Sequence, residues 1–316
     1  MTTYILQRVV LLIPVMVVVG VVVFMLVHLV PGDPAAVRLG DQSTPDQIQA
    51  AREQMGLNDP ILVQFANWFT DALRLDFGQS YFNDQTVIES LSQRKEPTIL
   101  LTTYALFFEV IIGIPAGVIA AVKRNSLVDR GLMIISISGA AIPTFFLGIV
   151  LILIFAVNLK WVPSGGYTPI AEDPVAHFKG MILPAFTLGF ASAGLLARLV
   201  RSTMLDVLKE DYVRTAQAKG LRFQTVVNRH ALRNALIPTI TVIGFSIGGL
   251  LGGAVVTETV FTIPGMGRLV VTSITRRDYP VIQGSIMIIA AIYVIVNLFV
   301  DVLYAYVDPR IRYGNA

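Results

Sequence analysis

The stretch Val9–Val30, VVLLIPVMVVVGVVVFMLVHLV, contains no Asp, Glu, Lys or Arg and is followed by the helix breakers Pro31, Gly32 and Pro34. A helix needs about 20 apolar residues to cross the hydrocarbon core of a bilayer. The stretch is too long for the apolar part of a signal peptide, and no small-residue cleavage site follows it. We therefore interpret it as an uncleaved transmembrane helix.

Five further segments reach the length of a membrane span, so the sequence predicts six spans in all. They are Pro97–Val122, which contains Glu109; Gly131–Val157; Met181–Val200; the glycine-rich Ala235–Val260; and Val281–Tyr306, which contains Asp301. The composition agrees, because 54% of the residues are hydrophobic and only 14% are charged. Soluble domains carry about 25% charged residues. The predicted fold class is an all-α integral membrane protein with lipid as its solvent.

The distribution of Lys and Arg predicts the orientation of these spans. With a cytoplasmic N-terminus, the inner segments 1–8, 123–130, 198–236 and 307–316 carry 14 basic residues in 65 positions. The outer segments 31–96, 158–180 and 261–282 carry 10 in 111 positions. Cytoplasmic loops are enriched in Lys and Arg. We therefore expect a multi-pass protein with both termini in the cytoplasm.

Several kinds of chemistry are absent from the sequence. The chain has no cysteine, which excludes disulfides, thiolate metal sites and a cysteine nucleophile, and its three histidines are far apart. It contains no G-x-x-x-x-G-K-[ST] phosphate-binding loop. Residues 244–248, GFSIG, match the G-x-S-x-G motif around Ser246, but that motif needs a strand–turn–helix setting. We interpret Ser246 as a helical residue and expect no enzymatic activity.

The largest outer loop, 31–96, carries five basic and ten acidic residues. It predicts a polar helix over Asp46–Met55 and a second helix with Pro60 at its first position. The second helix would place Leu62, Phe65, Trp68 and Phe69 largely on one side. We expect it to lie on the membrane surface or over the helix bundle, either as a plain cap or as a docking site for a partner.

The longest inner segment, 201–236, is also strongly basic. Met204–Lys219 is compatible with a helix, Lys219 suits its C-terminus, and Gly220 suits the position after it. A second helix can begin near Phe223 and continue into the fifth span. We expect a bend at Gly220 and a slim tip that could fit a groove on another protein, whereas positive-inside topology alone would explain only the charge.

Residues 210–220, EDYVRTAQAKG, and 229–238, RHALRNALIP, resemble the cytoplasmic loop of bacterial ABC importer permeases. The blocks YILQR at 4–8, PGDPA at 31–35, ETVFTIPGMGR at 258–268 and RRDYP at 276–280 narrow the resemblance to dipeptide/oligopeptide permeases. The blocks occur in the right order over nearly the whole chain. Asp211 departs from the Glu that often precedes Tyr in that family, but it keeps the charge.

The resemblance implies a type I ABC importer permease (MetI-like) fold in the bacterial cytoplasmic (inner) membrane. Residues 1–96 would form an N-terminal helix with an outer loop, 97–306 a five-helix core containing the 201–236 loop, and 307–316 a cytoplasmic tail. Implied partners are a second permease, two cytoplasmic ATPases that bind ATP and Mg²⁺, and an extracytoplasmic binding protein that delivers peptides. No nucleic acid and no cofactor in this chain are expected.

The resemblance also assigns an ATPase-coupling helix, whose residues would be Glu210, Asp211, Tyr212, Arg214, Thr215, Ala216, Ala218, Lys219 and Gly220. Within the spans we expect pathway or packing roles for Glu109, Ser246, Gly248, Gly252 and Asp301. Ionisable side chains inside a membrane are costly and point to function, whereas small residues at four-residue spacing let helices approach closely. The alternative function is a secondary transporter or channel independent of ATP, although no repeat between the two halves supports it.

Overall fold

The computed structural model of the protein describes residues 2–29, 32–40 and 43–307, and these form helices joined by turns and loops, with no β-strand longer than one isolated bridge. Two π-helical stretches, Ile152–Asn158 and Val226–Ala231, continue α8 and join α11 to α12. In chain order the helices are α1 (Thr2–Leu29), α2 (Pro34–Leu39), α3 (Pro45–Gln54), α4 (Ile61–Leu73), α5 (Val87–Ser92), α6 (Lys95–Val122), α7 (Leu127–Ala141), α8 (Thr144–Leu151), α9 (Pro174–Val207), α10 (Asp211–Ala218), α11 (Phe223–Thr225), α12 (Leu232–Val260), α13 (Met266–Arg276) and α14 (Tyr279–Val307).

Five helical stretches of the described chain are long and apolar enough to cross a bilayer without a sharp bend. They confirm five of the six predicted spans and are Val10–Leu29, Val87–Val122, Pro174–Val207, Phe223–Val260 and Tyr279–Val300. The predicted third span is different, because it consists of two arms, Leu127–Ala141 and Thr144–Asn158, bent by 106°. The predicted span over Gly131–Val157 is thus broken at residues 142–143, and it is the sixth span if the bent pair counts as one.

The bend in the third span has a local cause at Pro143. Ile142 adopts an extended conformation, with φ −75° and ψ 124°, and Pro143 begins the second arm. The ring of a proline clashes with a helical residue before it and removes a backbone donor, so a helix usually ends at that point. The π-helical stretch that follows Leu151 loosens the second arm further.

The chain packs as two compact units, and we describe each by itself. Unit 1 contains the residues up to Glu96 together with Gly265–Ile295, and unit 2 contains Pro97–Pro264 and the chain from Val296 onward. The division at residues 96/97 and 306/307 made from the sequence remains a prediction. Of the predicted tail, residues 308–316 lie outside the described part of the chain.

In unit 1, helix α4 lies lengthwise against the C-terminal part of α1 and antiparallel to it. The His28 Nε2 and Gln64 Oε1 atoms are 3.2 Å apart, the Phe24 ring meets Trp68, and Gly20 lies against Phe69. The contacts thus move towards the N-terminus of α1 as they move towards the C-terminus of α4. Of the two predicted placements, on the membrane surface or over the helix bundle, these contacts with α1 fit the second.

The loop before α5 is fastened to the start of α14 within unit 1. The Asp278 carboxylate accepts hydrogen bonds from the Ser80 hydroxyl and, at 3.0 Å, from the backbone N–H of Tyr81. The Asp278 carbonyl accepts the first helical bond of α14 from Ile282. Burial raises the pKa of Asp278 above the ordinary carboxyl value, although these donors oppose the shift. Burial, with Asp278 nearby, also raises the pKa of Tyr81 to about 12.

Unit 2 is organised around α9, against which α6, α7 and α12 pack. Glycines make the closest of these approaches possible. A side chain at Gly117 of α6 would collide with the carbonyl of Ala197 and with Val200, and one at Gly194 of α9 would collide with the carbonyl of Ser136 on α7. Small residues allow helix backbones to come this near in lipid, where van der Waals packing drives association.

Candidate functional site

The 201–236 segment of unit 2 contains the end of α9, all of α10 and α11, and the beginning of α12. The expected helix over Met204–Lys219 is interrupted, because α9 ends at Val207 and α10 begins at Asp211. A tight turn joins them, in which the N–H groups of Lys209 and Glu210 bond back to Asp206 and Val207. The turn folds α10 back onto the end of α9, which one straight helix would not allow.

Helix α10 has one buried and one exposed face. Val213 and Ala216 are buried and form a small cluster with Val226, against which Val207 and Leu208 also pack. Ala216 therefore holds α10 in place and does not shape its outer surface. The residues that face outward from α10 and the turn after it are Asp211, Tyr212, Arg214, Thr215, Gln217, Ala218, Lys219 and Gly220.

The predicted bend at Gly220 is present. Helix α10 ends at Ala218 with Lys219 as its C-cap, Gly220 has φ +77°, and the next helix begins at Phe223. The left-handed conformation is open to glycine at little cost, which explains this residue at the turn. No atom lies within 4 Å of a side chain built on Gly220, so the tip of the turn is free. Leu221 and Phe223 are exposed beside it.

One side-chain hydrogen bond connects α10 to the start of α12. The Asn234 Nδ2 atom donates to the Tyr212 hydroxyl over 2.7 Å and also lies 3.2 Å from the His230 carbonyl. Asn234 is on the helix that continues into the fifth predicted span, and Tyr212 is on the outward face of α10. A displacement of α10 would therefore act directly on the beginning of a transmembrane helix.

A second link at the same end of unit 2 was not predicted. Arg201 of α9 forms a bidentate salt bridge with Asp129 of α7. Its Nε donates to Oδ1 over 2.6 Å and its Nη2 donates to Oδ2 over 2.8 Å. Asp129 is buried and also accepts the N–H of Asn125. Two-pronged Arg–carboxylate pairs are among the stronger polar contacts. In the sequence these charges only indicated two inner loops, and nothing there showed that they meet.

Glu109 lies in the middle of α6 and is buried. The Ser246 hydroxyl of α12 donates to its Oε2 over 2.8 Å, and the Ile243 carbonyl is equally close to that hydroxyl. The sequence left open whether Glu109 lines a pathway or holds a neighbouring helix. The contact shows that it bonds to the neighbouring helix, and Ser246 lies on a helix, away from any strand–turn–helix motif.

A second carboxylate joins the same two helices at another level. Thr98 of α6 donates its hydroxyl hydrogen to Glu258 of α12, and both side chains are buried. The donor and acceptor helices are exchanged between the two pairs, because α6 supplies the acid in one pair and the hydroxyl in the other. Glu258 was noted from the sequence only as part of a family block, since it lies near the end of a predicted span.

The glycines of α12 differ in what surrounds them. Gly248 is buried, and Gly244 lies so close to Val300 of α14 that a side chain would collide with it. Gly252 is exposed, and nothing lies within 4 Å of a side chain built there. Gly252 therefore packs against no other part of the described chain. Asp301 belongs to α14, but its side chain lies outside what the structure describes.

Two family models together match most of the chain. The model described as "Binding-protein-dependent transport system inner membrane component" matches residues 113–313. The model described as "Binding-prot-dependent transport system membrane comp, N-term" matches residues 1–102. The first match includes the whole 201–236 segment. Of the two buried acid–hydroxyl pairs, it includes Ser246 and Glu258 but neither Glu109 nor Thr98.

Curated relatives are similar to the protein over 99% of its length. A "Probable peptide ABC transporter permease protein" of Sinorhizobium fredii is 46% identical and is covered completely. A "Putative peptide transport system permease protein" of Brucella abortus is 41% identical, and the "Glutathione transport system permease protein GsiC" of Escherichia coli is 44% identical, each again covered completely.

Among solved structures, the inward-facing MetNI methionine ABC transporter matches with a TM-score of 0.58 and 19% sequence identity. The match covers 69% of this chain and 96% of that one, which shows a shared MetI-like permease fold. The family models and the relatives agree with this fold and with the apolar spans. The chain therefore belongs to the family of binding-protein-dependent transport system inner membrane components, and it is a multi-pass permease subunit of an ABC transporter.

Proposed function

We propose that this permease imports peptides, and that with a second, similar permease it forms the path by which they cross the inner membrane. Two of the relatives are named as peptide permeases and one as a glutathione permease, and glutathione is itself a short peptide. The similarity extends over the full length of all three, which supports a shared class of substrate. An extracytoplasmic binding protein would deliver the peptide.

The 201–236 segment is the proposed docking site of the ATPase subunits. The observation that carries this proposal is the construction of α10: Val213 and Ala216 anchor it to its own unit, and its other side is exposed up to the free tip at Gly220. A short helix held at one face and open at the other can enter a groove without unfolding. Force applied to it would reach α12 through the hydrogen bond between Tyr212 and Asn234.

The remaining assignments follow from this role. ATP and Mg²⁺ would bind to two cytoplasmic ATPases, and this chain would neither hydrolyse ATP nor hold a cofactor. Both termini and the 201–236 segment would lie in the cytoplasm, as the density of Lys and Arg favours. Membership of this family, whose members work with a binding protein, favours the ABC importer over an ATP-independent transporter or channel.

The docking role is tested by a pair of matched glycine variants. Gly220 and Gly40 both have positive φ, +77° and +81°, and neither has an atom within 4 Å of a built side chain. Gly220→Trp should abolish co-purification of the ATPases with the tagged permease, whereas Gly40→Trp should leave it intact. Equal recovery of the ATPases with both variants would contradict the assignment.

Substrate class is tested by uptake into proteoliposomes that contain the complete transporter. With ATP inside and the binding protein outside, labelled di- or tripeptides should accumulate, and the Gly220→Trp variant should accumulate none. Uptake that continues without ATP would favour a secondary transporter, and uptake of a nickel complex or haem but no peptide would refute the peptide assignment.

A further inference from the structure

A cavity of about 260 Å³ lies in unit 1, between the outer end of α1, helix α4 and the start of α14. The docking role proposed above does not use it. Phe24 and His28 of α1, Trp68 of α4 and Tyr279 of α14 contribute to its wall. It is smaller than the roughly 300–1,000 Å³ typical of sites for drug-sized ligands, so it can take only a group the size of an amino acid.

Two polar side chains in the wall form no hydrogen bond with any residue that the structure describes. Gln283 is only 5% exposed, and no described residue forms a hydrogen bond with its amide. The Nε1 atom of Trp68 is buried, again without an acceptor in the described part of the chain. A buried polar group without a partner costs free energy, so nearly all such groups in proteins are satisfied. A bound molecule with an amide or carbonyl group would satisfy Gln283, which lines the cavity, but not the Trp68 N–H, which has no surface open to the cavity.

The charge of the cavity indicates what else the ligand carries. Asp59, Asp71 and Asp76 line it, and none of the lining residues is Lys or Arg. The nearby Arg52 is engaged with Asp33 at 2.8 Å. Three carboxylates with no lining cation favour a positively charged ligand.

The cation is organic. In the described chain, no three His, Asp or Glu side chains converge closely enough to hold a metal ion. Aromatic rings surround the space instead, from Phe24, Trp68, Phe77, Tyr81 and Tyr279. The face of an aromatic ring attracts an ammonium group, and the effect is strongest where water is excluded. Rings together with carboxylates are suited to an ammonium ion.

We propose that this cavity binds a small primary ammonium compound that also carries an amide or carbonyl group. The ammonium lies among the rings and faces the aspartates, while the amide group pairs with Gln283. The site lies on the unit built mainly from the predicted outer loop, so its ligand comes from the extracytoplasmic side.

Trp68 makes the binding directly measurable. The chain has two tryptophans, so Trp161→Phe leaves Trp68 as the single reporter in the full permease in nanodiscs. Titration with glycinamide should give a saturable change in its fluorescence. N-acetylglycinamide has the amide but no ammonium and should give none. A response to both compounds alike, or to neither, would overturn the proposal.

Three variants in this background locate the site. Gln283→Met keeps the length of the side chain without its amide and should weaken glycinamide binding about tenfold. Asp71→Asn should weaken it about threefold, whereas Asp84→Asn, an exposed aspartate that does not line the cavity, should change nothing. Unchanged binding in both cavity variants refutes the site. So does a response elicited only by a partner protein, since a docked protein side chain would then be the occupant.

Two controls keep the result interpretable. The melting temperature of each variant, measured without ligand, separates loss of the site from loss of the fold, and Asp71→Asn changes an exposed residue that the fold tolerates. Uptake is not part of this readout. A negative result would therefore leave the transport proposal untouched, and failure of uptake would leave this site standing.

Discussion

Glu109 of α6 accepts a hydrogen bond from Ser246 of α12 over 2.8 Å in the interior of unit 2. A carboxyl group buried at mid-span needs such a partner, because lipid supplies none. Ser246→Ala should lower the free energy of unfolding by about 1–3 kcal/mol, the usual cost of leaving a buried acceptor without a hydrogen bond. Thermal unfolding of the purified permease measures this.

The control for this variant is on the same helix. Thr259 is exposed and bonds only to the carbonyl of Val255 one turn back, so Thr259→Ala should be nearly neutral. Ser246→Thr, which keeps a hydroxyl, should recover most of the lost stability. Equal effects of the two alanine variants would show that the contact between the helices contributes nothing.

Replacement by alanine should lower the stability of the permease at Gly117 but not at Gly252. A Cβ atom on Gly117 would be 2.6 Å from the Ala197 carbonyl oxygen and from Val200, whereas one on Gly252 meets nothing within 4 Å. Gly117→Ala should destabilise the isolated permease by about 1–3 kcal/mol through overpacking, and Gly252→Ala should not. If Gly252→Ala impairs only the assembled transporter, that face of α12 meets a partner or the substrate.

The bond between Tyr212 and Asn234 predicts a coupling defect, provided that α10 docks an ATPase. Tyr212→Phe removes the hydroxyl but keeps the ring, so the ATPases should still bind while less transport results from each ATP hydrolysed. Asn234→Ala should have the same effect, and the double variant should be no worse than either single one. Additive losses would mean that the two residues act separately. The ratio of peptide uptake to phosphate release measures the coupling.

The carboxyl group of Asp278 predicts how stability depends on pH. Because burial raises its pKa in the folded chain, the folded state holds the proton more tightly than the unfolded state. Its contribution is fully present below the ordinary carboxyl value of 3.8 and is lost as pH rises through the raised value. Asp278→Asn should therefore flatten the fall in melting temperature from about pH 4 upward. An unchanged pH profile in this variant would contradict the assignment.

The topology is testable because the chain has no native cysteine. If the bent pair of α7 and α8 crosses the membrane, cysteines introduced at Lys123 and Glu172 lie on opposite sides. Both positions are exposed. A membrane-impermeant maleimide added to intact cells should then label Glu172→Cys, and should label Lys123→Cys only after lysis. Labelling of both from one side would make the pair a re-entrant loop and would leave five spans.

The spans were predictable from the sequence because lipid requires an uninterrupted run of apolar residues, and such a run can be recognised from the residue types alone. Five of the six matched for that reason. The break at Pro143 had a local signal as well, but its size of 106° depends on how the second arm packs, which no local pattern contains. The turn between α9 and α10 likewise depends on Val213 and Ala216 finding Val226.

The contacts of the candidate sites were less predictable, because they join residues far apart in the chain. Arg201 and Asp129 are 72 positions apart, and Ser246 and Glu109 are 137 apart. Residue types indicated that Glu109 needs a partner but not which one. Gln283 gave no signal at all, since an amide near the end of a span is unremarkable until the structure shows it buried and unbonded.

The bend at Pro143 determines how far the third span can reach across the bilayer. Each arm has 15 residues and is therefore about 22 Å long at 1.5 Å per residue. Bent by 106°, the arms cover at most about 27 Å from end to end, close to the roughly 30 Å of hydrocarbon that a spanning pair has to cross. They achieve this only if each leans about 53° from the membrane normal, far beyond the average tilt of about 20°. The elbow then projects sideways by about 18 Å, so this one segment occupies the lateral space of several upright helices.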